Sequence, residues 1–409
     1  MSALGKTKPV PDTWPKHIKH IVFYGPRFPD MGGGSTAVEN LADAMTQYGI
    51  DVELISHTPG TTRALHHPAH TILAHPEWHR GPVLRGGRSL PAMAKAIPLL
   101  LIKRREIVLA HRRIRRLIGS YGSETAVVFT HEMTKRFLDN SGYQMMANGP
   151  LFIGQHHEQF ASLETQIGVR EYMIAHFCDV DAFTALSDDD AREFSTFLPV
   201  PCFGIGNPVP IGWTVSRNRR QRTAVALARF SQEKQLDLMV RAFASATEKP
   251  SLADWTLKIY GAGDQEPRIR QAIVATGSEG RVHLMGPTDH PERIYPEAML
   301  TLSSSSFEGF GLTILEAATC GTPSLAFDCS PGIHGLIPPD SGFLVRPFTE
   351  GAYTEALKDA LSDTERLEKM GRAAQRHAQR FSPESMVEQW GTILAAAQRN
   401  HAARFASAF

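Results

Sequence analysis

The chain has 409 residues, more than one ordinary hydrophobic core organises, so two domains are expected. With 42% hydrophobic and 21% charged residues it has a globular composition, and a formal net charge of +1 argues against bulk polyanion binding while leaving room for local patches. The four cysteines (Cys178, Cys202, Cys320, Cys329) are far apart and lack zinc-site spacing, so reduced, mostly buried thiols of a cytosolic protein are expected. Residues 1–17 are polar and contain prolines, unlike a signal peptide, and the apolar run 96–102 is too short to span a bilayer. The expected location is cytoplasmic, with any membrane contact peripheral at the inner face.

In chain order, Ile18 to Tyr24 has a buried-strand pattern, and Met31-Gly32-Gly33-Gly34-Ser35 follows as a loop. Ala37 to Tyr48 predicts an amphipathic helix with Val38, Leu41, Ala42 and Met45 on one face. Gly49 ends it, and Asp51 to Ser56 predicts the next strand. Strand, helix and strand of these lengths make a βαβ unit, hence a parallel sheet. Short apolar strands follow at Ala126–Thr130, Leu151–Gln155 and Ala182–Leu186. Gly206-Asn207-Pro208-Val209-Pro210 is a strong breaker cluster. A second series then runs through strands at Ala224–Ala228, Trp255–Tyr260, Val282–Leu284, Ala298–Ser303 and Ser324–Phe327. Its helices fall at Leu236–Thr247, Glu266–Ala275 and Leu312–Cys320, and helices at Ala352–Ser362, Thr364–Arg380 and Pro383–Arg399 finish the chain. Two alternating α/β halves imply two Rossmann-like domains with parallel sheets facing a central cleft, ligands binding at the C-terminal strand ends. The expected division is 1–208, 209–390, and a last helix over 391–409 returning to the first domain.

The stretch Ser303 to Ala317 carries the most chemistry. A serine run leads into Glu308, a Gly-Phe-Gly turn follows, and a helix carries Glu316 eight positions on. Glycine lets backbone N–H groups approach a ligand, a helix N-terminus favours an anion, and carboxylates accept hydrogen bonds from hydroxyls. A phosphate cradle between two hydroxyl binders suits a sugar nucleotide. Arg229 and Lys234, just after a strand, are placed to set two cations over one diphosphate. Gly32, Gly33 and Gly34 join a first strand to a first helix, where backbone approaching phosphate is expected. His156 and His157 follow a strand, as does His131. Gly261-Ala262-Gly263 is a truncated dinucleotide fingerprint and poor evidence for NAD. Asp188-Asp189-Asp190 suggests a metal site, but Ser187 is a good N-cap and acidic residues complement a helix dipole, so a structural role is favoured. Segment 95–116 holds seven further cations from Lys95 to Arg116 besides Lys103, with Glu106 the only acid. Leu99, Leu100, Ile102, Ile107, Val108, Leu109, Ile114 and Leu117 make its apolar face. A solvated basic helix competes there with a peripheral membrane contact or a groove for a phosphate-bearing acceptor.

Taken together, these residues resemble the GT-B-fold retaining glycosyltransferases of family 4 (glycosyl transferases group 1), over roughly residues 18–395. The resemblance rests on the early glycine loop, Asn207-Pro208, and Ala228-Arg229-Phe230-Ser231-Gln232-Glu233-Lys234-Gln235. It rests also on Tyr260-Gly261-Ala262-Gly263, the Glu-x7-Glu stretch, and Asp328-Cys329-Ser330-Pro331-Gly332 with Gly342-Phe343-Leu344-Val345. It implies that His156, Glu308, Arg229 and Lys234 are catalytic, with His157 second to His156. Glu308 would hold donor-sugar hydroxyls and Glu316 the nucleotide ribose, neither as a metal ligand. Gly32, Gly33, Gly34 and the backbone of Phe310, Gly311 and Leu312 would lie against the donor phosphates. A UDP-sugar is the expected donor, with no cofactor or metal, and a glycan, lipid-linked or anionic polymer as acceptor; no nucleic acid is expected. One departure stands out: many relatives follow Pro-Gly with a basic residue and a glutamate, where this chain has Ile333-His334-Gly335. The alternatives are a sugar-nucleotide 2-epimerase on the same fold and a non-catalytic sugar-nucleotide-binding protein.

Overall fold

The computed structural model of the protein describes residues 7–30, 33–61, 65–75, 90–164, 168–213 and 221–406, without the side chains of 90–99 and of Glu164. It divides into two compact units, Met1–Ile205 with Val387–Phe409, and Gly206–Met386.

The first unit contains β1 (His20–Phe28), α1 (Gly33–Thr46), β2 (Asp51–Pro59), β3 (Ala69–Thr71), α2 (Leu90–Ile118), β4 (Thr125–Phe129) and α3 (Glu132–Asn140). It continues with β5 (Leu151–Gln155), α4 (Phe160–Glu164), α5 (Val169–Phe177), β6 (Ala182–Ala185), α6 (Asp188–Ser195) and β7 (Cys202–Gly204). Among the described residues the strands form one parallel sheet in the order β3-β2-β1-β4-β5-β6-β7. Its central strands are buried on both faces, which is why they read as continuous apolar runs. Val22, Tyr24, Val127, Phe129, Phe152 and Phe183 form the core against Phe177 and Phe194 from the helices.

The second unit contains β8 (Gln221–Leu227), α7 (Leu236–Ala246), β9 (Thr256–Tyr260), α8 (Glu266–Ala275), β10 (Val282–Gly286), α9 (Pro291–Ile294) and β11 (Ala298–Ser303). Then come α10 (Leu312–Thr319), β12 (Ser324–Phe327), α11 (Pro331–Leu336), β13 (Gly342–Val345), α12 (Glu350–Ser362) and α13 (Thr364–Ala378). The parallel sheet runs β10-β9-β8-β11-β12-β13. Trp255, Leu257, Ile259 and Leu300 pack with Val240, Phe243, Tyr353 and Leu357 of the flanking helices. Each such side chain removed from water contributes about 1.5–3 kcal/mol, so this core outweighs any single polar contact in the unit.

The last helix, α14 (Pro383–Ala406), is fastened to the first unit by polar contacts at the start of β5 and just before β6. The fully buried Asp181 accepts from the Phe152 N–H at 2.8 Å, lies 3.1 Å from His401 Nδ1, and is paired with Arg404. The carboxylate bond to His401 raises that imidazole's pKa against the opposing effect of burial. Lys135 of α3 is also fully buried, and Asp139 and Asp179 at 2.6 and 2.9 Å compensate its charge.

The structure departs from the sequence expectations in four places. Gly33, Gly34 and Ser35 belong to the first turn of α1 and not to a loop, because Ser35 Oγ accepts from the Asp30 N–H and donates to Glu39, both at 3.0 Å. Gly32 lies outside the described residues. The three-residue strands β3 and β7 are too short to show a period. The expected apolar face of α2 is mostly not a core face: Ala110, Ile114 and Ile118 are buried, whereas Leu100, Ile102, Val108 and Leu109 are exposed. Among the described side chains of α2, the buried ones fall in its C-terminal half. Of the cysteines, Cys320 alone is fully buried, while Cys178 is exposed as it caps α5.

Candidate functional site

In the second unit the strand order reverses between β8 and β11, and the loops leaving these strands carry the charged candidates. A parallel sheet opens a crevice at such a point, because the crossovers on its two sides depart in opposite directions. Hydrogen bonds join the two loops. Ser304 Oγ is 2.7 Å from the Lys234 carbonyl and 3.1 Å from that of Gln235, and the Ser306 N–H donates to the Glu233 carbonyl at 2.9 Å. The serine run thus sets the height of one loop against the other.

This joining places Lys234 Nζ 2.5 Å from Glu308 Oε1, which also accepts from Ser305 Oγ at 3.0 Å. Their side chains are 15% and 19% exposed, so the pair is shielded yet reachable. Arg229 is placed differently: its side chain is 70% exposed and lies 3.6 Å from Glu233. Each cation thus has a carboxylate of its own beside it, Glu308 for Lys234 and Glu233 for Arg229. Gln235 follows Lys234 with φ 47°, a left-handed conformation that costs a side-chain-bearing residue about 1–2 kcal/mol. Its carbonyl is held by Ser304, and α7 starts at the next residue. The Gly261-Ala262-Gly263 turn packs on the same loop. A Cβ on Gly261 would lie 1.9 Å from the Ala228 carbonyl oxygen, so the motif is required by close packing of strand ends.

Gly311, with φ 91°, turns the chain into α10, and a Cβ there would lie 2.5 Å from Ile333 Cδ1. Phe310 is buried edge-on against Phe381. Leu312 is half-buried and opens the helix, whose first N–H groups have no intrahelical acceptor. Glu316, one turn further, keeps a partial opening to solvent but is otherwise surrounded. The Tyr295 hydroxyl donates to its Oε2 at 3.1 Å. Burial pushes this carboxyl up to about 7, against the pull of the tyrosine bond. Beside the site Asp328 meets Arg346 at 2.9 Å and His334 at 3.2 Å, which is where the Ile333-His334-Gly335 departure falls.

In the first unit, His131 follows β4 while His156 and His157 follow β5. With Glu132, Arg136 and Tyr172 they line a cavity of about 570 Å³. The His156 backbone N–H donates to the Thr184 carbonyl at 2.9 Å and its ring packs on Phe194, but its buried Nε2 has no hydrogen-bond partner among the described residues. His157 Nε2 lies 3.0 Å from Gln155 Oε1, and its buried Nδ1 is likewise unpartnered. Burial pushes His156 down to about 3, with His157 and His131 adding to it, and His157 down to about 4, with His131 adding. Both rings are neutral near pH 7 and offer one donor and one acceptor each. A methyl on Gly34 would stand 3.9 Å from the His157 ring, so the glycine turn and the histidines adjoin. His131 caps α3 by accepting from the Met133 N–H.

The aspartate triplet is structural in its contacts. Ser187 Oγ caps α6 by accepting from the Asp190 N–H at 3.1 Å, and the Asp190 carboxylate accepts from the Phe160 N–H at 2.9 Å. Among the described residues no group of histidine, cysteine and carboxylate side chains is arranged to hold a metal. Sequence reasoning missed Tyr295, which has no motif around it and reveals itself only by the fold bringing it to Glu316. It also missed Glu233 as the partner of Arg229, though a spacing of four was a signal.

Two parallel Rossmann-like halves of this kind define the GT-B fold. The chain superimposes on S. aureus TarM, solved with fondaparinux, alpha-GlcNAc-glycerol and UDP, with a TM-score of 0.73 at 14% identity over 92% of this chain and 99% of that one. Residues 214–377 match the family described as glycosyl transferases group 1. The poly(glycerol-phosphate) alpha-glucosyltransferase of Bacillus subtilis is 26% identical over 249 residues, 58% of this chain and 36% of that protein. An exopolysaccharide phosphotransferase of Streptomyces coelicolor is 33% identical over 188 residues, 46% of this chain but only 20% of that protein. The chain therefore spans well under half the length of these two relatives.

Proposed function

We propose that the protein is a retaining glycosyltransferase moving a hexosyl unit from a nucleoside-diphosphate sugar, with UDP as the expected carrier, to an acceptor hydroxyl. The observation that carries this reading is the Lys234–Glu308 pair at the β8/β11 switch point, with Glu308 in the loop that leads into α10 and its partly open Glu316. The family match over the same unit and the activity for which the Bacillus relative is named support it.

In this reading Glu308 accepts hydrogen bonds from sugar hydroxyls and Glu316 from the ribose. Lys234, Arg229 and the first amides of α10 face the diphosphate. The C1–O bond to the diphosphate breaks, the acceptor oxygen bonds to C1 on the same face, and the acceptor proton passes to the departing phosphate oxygen. Charge growing on that oxygen is met by fixed cations, so the transition state gains more than the ground state. Two cations in place give the leaving group its counter-charge without a metal. His156, neutral, hydrogen-bonds the sugar, and Gly33 and Gly34 line the neighbouring turn. The acceptor is a polymer-borne or lipid-linked hydroxyl with phosphate nearby. The exposed cations of α2 and its exposed Leu101 and Ile102, 61% and 56% accessible, make the contact with that acceptor or with the membrane carrying it. No helix among the described residues is long and apolar enough to cross a membrane.

The test is turnover with a panel of UDP-, GDP- and ADP-hexoses and a glycerol-phosphate polymer. Transfer to the polymer, abolished in Lys234→Ala and Glu308→Ala, is expected. Wild-type rates in either variant, or nucleotide release that never depends on acceptor, would refute it.

A further inference from the structure

Glu316 sits on α10 at the edge formed with Leu312 and Thr313, while Ile314, Leu315, Ala317 and Ala318 are buried against the sheet. A carboxylate at such an edge has two oxygens and, left alone, several rotamers. Here one oxygen is committed: Oε2 receives the Tyr295 hydroxyl at 3.1 Å, and Oε1 has no hydrogen bond among the described residues. The tyrosine is itself immobile. It is fully buried in a small cluster with Val225, Ala298, Ala317 and Cys320, and its carbonyl accepts from Thr322 Oγ1 at 2.7 Å. It stands three residues before β11, and Glu308 lies in the loop that follows that strand.

We propose that Tyr295 is a positioning residue that ties down one oxygen of Glu316 so that the other is presented to the ribose of the bound nucleotide. This rests on the reading of Glu316 as the ribose binder. A hydrogen bond from a rigid phenol fixes the carboxylate's rotation and stabilises its ionised form, the form that accepts from both ribose hydroxyls. A phenylalanine would fill the same apolar cluster and remove the donor alone. Burial already opposes ionisation of Glu316, so loss of this one donor moves its titration upward.

The experiment measures affinity for UDP, with GDP and ADP in parallel, by calorimetry across about pH 5 to pH 9 on wild type, Tyr295→Phe, Glu316→Gln and the double variant. In wild type, affinity falls as the pH drops through about 7. In Tyr295→Phe the fall is expected to begin about one pH unit higher, with affinity about tenfold weaker near neutrality. In the Glu316→Gln background the tyrosine change should do nothing more, because the two act as one unit. A Tyr295→Phe protein that melts lower yet keeps wild-type affinity and pH profile would overturn the proposal and reduce the tyrosine to packing. Glu316→Gln with unchanged nucleotide affinity would overturn the ribose reading itself, and the proposal with it.

Discussion

The two units share a strand order around the reversal but differ in the side chains that the loops near it carry. In the second unit, the loops after β8 and β11 hold ionised side chains that pair with one another: Lys234 with Glu308, Arg229 with Glu233. In the first, the loops after β4 and β5 hold imidazoles that burial keeps neutral, with unpartnered nitrogens beside a cavity of about 570 Å³. One scaffold thus gathers paired charges in one unit and neutral imidazoles in the other. The backbone supplies the opening, and residue chemistry decides what enters.

The sharpest break in this contrast comes from the charged side. Lys234→Ala and Glu308→Ala are each expected to lower kcat by about a thousandfold or more, the scale of removing a charge-stabilising contact from a transition state. On the neutral side, His156→Ala is expected to lower kcat by about a hundredfold, since it removes a hydrogen bond and no charge. Steady-state kinetics with the preferred donor checks both, and equal losses would erase the distinction.

The units should also respond oppositely to pH. His156 and His157 have folded pKa values far below the ordinary imidazole, so the stability they contribute is present above about 6.5 and is lost as pH falls toward about 4 and about 3. Glu316 has a folded pKa raised from 4.5 to about 7, so its neutral form is stable at low pH and stability is lost as pH rises through that window. Glu316→Gln should therefore raise the nucleotide-free Tm at about pH 8 and leave it unchanged below about pH 4. His156→Phe should remove part of the acid sensitivity. Melting curves across pH check both signs.

Gln235 offers a smaller probe. Gln235→Gly should stabilise the second unit by about 1 kcal/mol, because glycine adopts φ 47° without strain and the buried Gln235 Oε1, which has no hydrogen-bond partner among the described residues, is removed. Smallest of all, neutralising Arg104, Arg105, Arg112 and Arg116 on α2 should raise the acceptor KM several-fold and leave donor affinity alone. Unchanged acceptor kinetics would remove α2 from the account.

The alternation of apolar runs was enough to anticipate the α/β class. β5, β11, β12 and α8 have the bounds their patterns set, since strands buried on both faces and helices with a clear stripe announce themselves. Three-residue edge strands carry no period, and the sequence does not show that Leu100, Ile102, Val108 and Leu109 of α2 are exposed while Ala110, Ile114 and Ile118 are buried. At the site, the residues bearing motifs were visible, but their pairing was not. Arg229 and Lys234 stood out as cations for one diphosphate, but the carboxylate beside each, Glu233 and Glu308, came from the structure. The Tyr295–Glu316 contact joins residues 21 apart in sequence with no shared motif, so only the packing of α10 reveals it.

The central claim is that the β8/β11 switch point of the second unit binds a nucleotide sugar. Thermal-shift titration with UDP-, GDP- and ADP-hexoses on wild type, Lys234→Ala and Glu316→Gln tests it most directly. The account predicts that one nucleotide series raises the wild-type Tm and that both substitutions abolish or strongly reduce the shift. A wild-type protein that responds to none of the three series, or variants that respond as fully as wild type, would contradict it.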